Sequence, residues 1–189
     1  MNLPKKNKLP ACKLGSRYVE WIHDDLIGSL WPGIDPVARN EYRDIDLLES
    51  ALGRPFHSAG GQDAYPTVID KASALFHSMI SNHPFHNGNK RTAVVAVDAF
   101  LMGNGYCLAL NNTKMYELAQ MTASYRALGK SHEEVFREVK EILTKFTVLL
   151  TTLYCEQRKN KKLSGLYKRV IAIRNSVRRN PDNQHIQGP

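Results

Sequence analysis

The sequence has few cysteines and no long apolar run, and both features narrow the classes of protein to which it can belong. Its three cysteines, Cys12, Cys107 and Cys155, stand far apart and are odd in number. This argues against a disulfide framework and favours a reducing compartment. No stretch approaches the roughly 20 apolar residues that a membrane-spanning helix needs. The first ten residues lack the apolar block of a signal peptide. We therefore expect a cytoplasmic protein without a membrane partner.

Acidic residues are scarce at the end of the chain. Residues 156–189 contain 9 Lys/Arg and 2 Asp/Glu, whereas residues 1–155 contain 17 and 16. Because the tail holds most of the net charge of +8, charge gives no reason to expect that the rest binds nucleic acid. Apolar residues recur at helical spacing from Leu163 to Val177. This predicts an amphipathic helix that either packs on the domain or a second copy, or binds an acidic or nucleic-acid partner.

The rest of the sequence predicts a single all-α domain. Apolar residues make up 42% of the 189 residues, which is enough for one core. We expect a flexible lead over residues 1–14, a domain over 15–155 and a basic extension over 156–189. Three- and four-residue apolar spacing predicts helices over residues 18–30, 45–52, 68–80, 92–102, 112–126 and 131–150. Residues 92–102 are apolar nearly all round, as is typical of a buried central helix.

Residues 54–66 lie between two of these predicted helices and do not have a helical apolar pattern. They contain Gly60 and Gly61 next to each other, two prolines and no helical period. Glycines and prolines at this density predict an extended loop or a short β-hairpin.

The segment from His83 to Arg91 precedes the predicted central helix and collects residues suited to binding an anion. A helix N-terminus presents unpaired N–H groups and the positive end of the dipole. Gly88 permits close approach of the backbone, Asn89 offers an amide, and Lys90 and Arg91 add two cations. Cations are unfavourable at this end of a helix, so their presence favours an anion that neutralises them.

Two further residues of the segment suggest catalysis. His83 has an ordinary pKa of about 6.5, which suits proton abstraction near neutral pH. Phe85 would anchor the loop in the core. Each residue also has a purely structural interpretation, because histidines near helix ends and Asn-Gly turns are common without any catalytic role.

The segment resembles the signature of the Fic/Doc family, and in particular the death-on-curing (Doc) branch. The pattern His-Pro-Phe-x-x-Gly-Asn-x-Arg runs from His83 to Arg91, and Gly-Asn-Lys-Arg-Thr-Ala continues to Ala93. Three sets of residues outside the loop look like the same branch: Ile22 to Asp25, Asp46 to Leu52, and Gly60 to Pro66. The similarity extends over residues 18–150.

The resemblance implies a helical bundle around a central helix, with a small β-hairpin flap and a loop that binds the phosphates of ATP. His83 would deprotonate the target hydroxyl, and Phe85 would anchor the loop. The phosphate-binding residues would be Gly88, Asn89, Lys90 and Arg91. The flap that aligns the target peptide would consist of Ser58, Ala59, Gly60, Gly61, Gln62 and Asp63.

Two departures from the family pattern bear on the reaction. Adenylylating members usually have Gly at position 90 and a second Arg at position 94, where this chain has Lys90 and Val94. This favours phosphorylation of Ser or Thr over AMP transfer. The family's acidic residue, which holds Mg²⁺, is replaced by Asn87, whose amide oxygen lacks the charge that Mg²⁺ prefers.

The resemblance also suggests partners. The target would be a translation factor such as elongation factor Tu, and a Phd-like antitoxin would restrain the enzyme. The alternative functions are adenylylation of a protein hydroxyl and a catalytically impaired relative that only binds a nucleotide or the antitoxin.

Overall fold

A computed structural model of the protein describes residues 11–30, 37, 42–156, 168 and 171. Nearly all of the basic extension, including most of the predicted helix over 163–177, lies outside these residues. Of the predicted flexible lead, residues 11–14 are described and are tied to the domain. The Cys12 backbone N–H donates to Asn104 Oδ1 (2.8 Å), the Asn104 amide donates to the Cys12 carbonyl (3.2 Å), and Leu14 packs against the core.

The predicted all-α class is confirmed. In chain order, the helices are α1 Ser16–Trp21, α2 Ile27–Leu30, α3 Ile45–Gly53, α4 Val68–Asn82, α5 Asn89–Gly103, α6 Asn112–Ala123, α7 His132–Phe146 and α8 Leu150–Glu156. A π-helical turn, Ile22–Leu26, joins α1 to α2, and a 3-10 turn, Arg54–Phe56, follows α3. None of the helices in the described part of the chain is long and apolar enough to cross a membrane.

The two longest central helices, α4 and α5, pack against each other and form the middle of the core. Helix α4 starts with a capping box, in which Thr67 Oγ1 accepts from the Asp70 N–H (3.0 Å) and Asp70 Oδ2 accepts from the Thr67 N–H (3.1 Å). Helix α5 is buried along most of its length, as expected for the central helix. It begins three residues earlier than predicted, so the loop's last residues, Asn89 to Arg91, form its first turn.

The first predicted helix is interrupted by its π-helical turn. A π-helical turn accommodates one extra residue and rotates the side chains that follow. Here the turn keeps Ile22, His23 and Leu26 all buried against the domain. Period counting at 3.6 residues does not detect this irregularity.

The predicted flap hairpin is present. Strand β1, Ser58–Ala59, pairs antiparallel with β2, Gln62–Asp63, in the register Ser58↔Asp63 and Ala59↔Gln62. The turn residues Gly60 and Gly61 both have positive φ, 57° and 75°, which is the requirement of a tight hairpin turn. Beyond the hairpin, the Ala64 N–H donates to the His57 carbonyl (2.9 Å).

The prediction of one helix over residues 131–150 is wrong at its end. Helix α7 stops at Phe146, and Thr147–Leu149 form β4, which pairs antiparallel with β3, Tyr106–Leu108. The β-branched pair Thr147 and Val148 suits a strand, and the backbone of β3 offers it hydrogen-bonding partners. The chain then turns into α8, where Leu153 packs against Cys107.

Candidate active site

His83 lies where α4 ends and holds an unusual backbone conformation. Its φ and ψ are 51° and 59°, and among the described residues it is the one non-glycine with positive φ. Only a few per cent of non-glycine residues adopt this left-handed conformation, most often Asn, Asp and His. Partial burial lowers the pKa of His83, and the nearby charges of Lys90 and Arg43 lower it further. The imidazole is therefore a neutral base at neutral pH.

Phe85 fixes the loop to the core. Its side chain is 2% exposed, stacks on the ring of His23 with centroids 3.9 Å apart, and contacts Tyr42 at 5.5 Å. The preceding carbonyl of Pro84 accepts from the N–H groups of Arg43 (2.9 Å) and Asp44 (3.2 Å). The loop is thus held on one side by apolar packing and on the other by the segment that leads into α3.

Asn89 differs from its predicted role. Its side chain is buried, its Oδ1 accepts from the Phe85 N–H (3.0 Å), and its Nδ2 donates to the Phe85 carbonyl (2.7 Å). The amide that we expected to hold a phosphate therefore closes the loop instead. Only the backbone N–H of Asn89, at the start of α5, remains suited to phosphate binding.

Gly88 is required by both conformation and space. Its φ is 74°, and a Cβ there would lie 3.0 Å from Ile27 Cδ1 and 3.0 Å from Val37 Cγ2. Its carbonyl accepts from the N–H (2.9 Å) and the hydroxyl (3.1 Å) of Thr92, which completes the first turn of α5. The close contact with α2 places the N-terminus of α5 firmly against the domain.

The two cations lie in the first turn of α5, and Lys90 is the one close to His83. Arg91 is 6% exposed, and Lys90 is partly exposed and close enough to His83 to lower its pKa. Together with the positive end of α5, they make this a strongly electropositive position. Gly88, Lys90 and Arg91 thus lie at the start of one helix, with Lys90 near His83.

His23 is a site residue to which the sequence gave no role. It is 1% exposed, its Nδ1 lies 2.7 Å from Asp24 Oδ1, and its Nε2 donates to the Asn87 carbonyl (3.1 Å). Its ring also stacks on Phe85. One side chain thus supports both the apolar anchor and the backbone of the loop. The apolar neighbours Ile22 and Leu26 predict its burial, but its partners are 64 positions away in sequence.

Asn87 meets only part of what a magnesium site needs. Its Oδ1 already accepts from the Gly88 N–H (2.6 Å). No cluster of three or more His, Cys, Asp or Glu residues that could hold a metal occurs in the part of the chain that the structure describes. A magnesium ion at this loop would need most of its oxygen ligands from a bound nucleotide, and Asn87 could add one neutral oxygen.

The flap is exposed along its length but anchored at its base. The six predicted flap residues, Ser58 to Asp63, are all exposed. Lys71 of α4, which is 6% exposed, donates to Asp63 Oδ2 (3.0 Å) and to the Pro55 carbonyl (3.1 Å). Its Nζ also lies 5.1 Å from the centre of the Phe56 ring. A buried cation thus holds both ends of the hairpin to α4.

Comparison with known proteins agrees with this geometry. The model of the Fic/DOC family matches residues 13–101. Toxin Doc of Mycolicibacterium smegmatis is 49% identical over 67 residues, which make up 35% of this chain and 52% of that protein. The chain therefore spans about half the length of this curated relative. No solved structure matches the chain. The family match contains the flap and the loop but ends at residue 101, short of the expected residue 150.

Proposed function

We propose a function on the premise that residues 13–101 form a Fic/Doc family segment, the resemblance that the sequence predicted and the family match confirms. The protein is a Doc-like toxin that transfers a phosphate from ATP to a Ser or Thr hydroxyl of a target protein. The observation that carries this proposal is the position of His83, a neutral base beside the electropositive start of α5.

The reaction divides between binding and proton transfer. The triphosphate lies against the first turn of α5, where backbone N–H groups, Lys90 and Arg91 stabilise its negative charge. His83 accepts the proton of the target hydroxyl, and the hydroxyl oxygen forms a bond to the γ-phosphorus. The bond from that phosphorus to the bridging oxygen breaks, and ADP leaves with the electron pair. Mg²⁺ that arrives with ATP, with Asn87 as one ligand, would neutralise charge on the phosphates.

Position 94 supports γ-phosphate transfer over AMP transfer. The adenylylating relatives that the chain resembles usually have a second Arg there, whereas Val94 is 4% exposed and packs in the core. A buried valine provides no cation for a second phosphate. Adenylylation remains the alternative, because the orientation of the nucleotide decides which phosphorus faces His83.

The partners follow from the same proposal. The exposed backbone of the flap pairs with an extended segment of the target and brings its hydroxyl to His83. The target is an abundant translation factor such as elongation factor Tu. A Phd-like antitoxin restrains the enzyme by occupying the surface beside the flap to which the target would bind. A second candidate function, nucleotide or antitoxin binding without catalysis, is favoured by one observation, the neutral Asn87 in place of an acid.

Isotope transfer tests the proposal directly. The protein is incubated with a bacterial extract and with ATP labelled at either the α- or the γ-phosphate, and label is followed into protein. We expect γ-label alone. His83→Ala should abolish transfer, whereas His86→Ala, an exposed histidine of the same loop, should transfer label like the wild type.

The other outcomes contradict the proposal in different ways. Incorporation of α-label identifies an adenylyltransferase. If neither label is transferred while ATP still binds, the protein is a binding-only relative. If His83→Ala transfers label normally, His83 is not the base.

A further inference from the structure

The root of the flap is joined to two helices by one guanidinium group, that of Arg54. Arg54 immediately follows α3 and precedes β1. Its Nε donates to the Tyr65 hydroxyl (3.0 Å), on the other side of the hairpin. Its Nη1 donates to Ser78 Oγ (3.3 Å) and lies 3.4 Å from His77 Nδ1, both on α4. Its Nη2 lies 3.2 Å from His132 Nε2, at the start of α7.

The positions of these partners connect the flap to the end of α4, the helix that precedes His83. Arg54 and Tyr65 stand at the two ends of the hairpin, whereas His77 and Ser78 lie in the last two turns of α4 before His83. Bonds of one rigid, planar group therefore fix the flap relative to the helix that presents the catalytic base. Lys71 holds the hairpin to the first part of α4, through Asp63 and Pro55. Arg54 makes the separate connection to the end of α4.

The partners of Arg54 are neutral, and this imposes a protonation state. Of the described residues that bond the guanidinium, none is a carboxylate. Because a guanidinium only donates, the facing nitrogens of both histidines must accept. The proton of His77 is then on Nε2, which is buried without a hydrogen-bonding partner among the described residues. Arg54 thus requires the neutral form of His77.

We propose that Arg54 is a positioning residue, which sets the flap relative to His83 and thereby the placement of the target hydroxyl. The proposal rests on the function proposed above. In this proposal Arg54 acts through Tyr65 and the end of α4, and not by touching the nucleotide or the target. Loss of the group should weaken use of the protein substrate and leave nucleotide binding intact.

The contact should also respond to acid. Burial is the largest cause, and the neighbouring His132 and Arg54 contribute to it, in lowering the pKa of His77 from 6.5 to about 4. The other residues with polar groups around His77 are Ser78, Ser81 and Tyr125, whose ring centroid lies 6.2 Å from that of His77. Neutral His77 is favoured in the folded state above the unfolded pKa, and this stabilisation is lost as the pH falls from about 6.5 towards 4. Protonated His77 cannot accept from Arg54, so this contact with the flap should be lost as the pH approaches 4.

The test compares Arg54→Met with Arg137→Met, which removes a charge from an exposed position on α7. We expect Arg54→Met to raise KM for the target protein by about tenfold, with kcat and the Kd for ATP changed less than about threefold. At pH 7, hydrogen exchange of the Ala64 amide, corrected for intrinsic rates, should be faster in Arg54→Met than in the wild type. In the wild type it should accelerate as the pH falls towards 4, and in Arg54→Met this pH dependence should be absent.

Two further variants keep the test informative if Arg54→Met does not fold. Arg54→Lys keeps the charge without the fork, and His132→Ala removes one acceptor only. Both should raise KM and Ala64 exchange by intermediate amounts. Unchanged KM and exchange in the three variants would overturn the proposal, as would a fall in ATP affinity equal to the rise in KM. If the wild type transfers no label, the proposed function fails, but exchange of Ala64 still decides whether Arg54 holds the flap.

Discussion

At the residue scale, His83 combines the side chain of the proposed base with an unfavourable backbone conformation. The left-handed conformation costs a non-glycine residue roughly 1–2 kcal/mol, and a glycine at the end of a helix adopts it freely. A sequence selected for stability alone would place Gly here. His83 therefore indicates that the position is kept for the imidazole, at the expense of the helix end.

This conflict predicts opposite effects on stability and activity. His83→Gly should unfold at higher denaturant concentration than His83→Ala, by about 1 kcal/mol in the free energy of unfolding, because only Ala retains the conformational strain. Both variants should lack transfer activity, since neither has a base. Urea titrations followed by circular dichroism, together with the label assay, measure the two effects. Equal stability of the two variants would show that position 83 is not strained.

Asn87 is a second residue at which one substitution is decisive. Asn87→Asp keeps the oxygen that accepts from the Gly88 N–H and adds a negative charge. We expect the apparent affinity of the ATP complex for Mg²⁺ to rise about tenfold, since a unit charge at contact distance is worth at least ~1 kcal/mol even in water. Calorimetric titration of Mg²⁺ in the presence of ATP measures this, and the transfer rate should rise with it.

The matched control for this substitution is His86→Asp, which places a carboxylate on the adjacent, exposed position of the same loop. It should leave the affinity for Mg²⁺ nearly unchanged. If both substitutions raise the affinity equally, the effect is one of general charge and position 87 has no special role in holding the metal.

At the scale of elements, the sequence predicted those parts that depend on local patterns. The apolar residues of α5, the adjacent glycines of the flap and the compact motif from His83 to Arg91 are all local signals, and each lies where it was expected. The end of α7 was predicted wrongly, because Thr147 to Leu149 continue a helical apolar spacing. Only the presence of β3 as a pairing partner, about 40 positions earlier, makes this segment a strand.

The contacts that position the site were less predictable for the same reason. The amide of Asn89 appeared suited to phosphate, but the nearby backbone of Phe85 takes both of its hydrogen-bonding atoms. His23 and Arg54 reach partners 64 and 78 positions away. A residue's type indicates what it can bind, whereas the fold determines which partner is close enough. A local motif is therefore enough to name a candidate base, whereas the groups that support the loop depend on the fold.

At the scale of the whole molecule, charge is separated from the folded domain. Residues 1–156 contain 17 Lys/Arg and 17 Asp/Glu, and residues 157–189 contain 9 and 1. The described core extends to Leu153, which is fully buried beside Cys107. A chain that ends at Glu156 thus keeps every buried residue described here and loses the source of its net charge.

We predict that truncation after Glu156 preserves the fold and transfer to an isolated target but removes affinity for polyanions. The truncated protein should elute from a heparin column at much lower salt, because it has lost the cations that displace counterions. The matched control is a full-length variant with Arg158, Lys159, Lys161 and Lys162 changed to Gln. It should elute at a salt concentration between those of the wild type and the truncated protein. A fall in Tm of more than about 10 °C on truncation, far beyond the few degrees that 1 kcal/mol produces, would show instead that the tail packs on the domain.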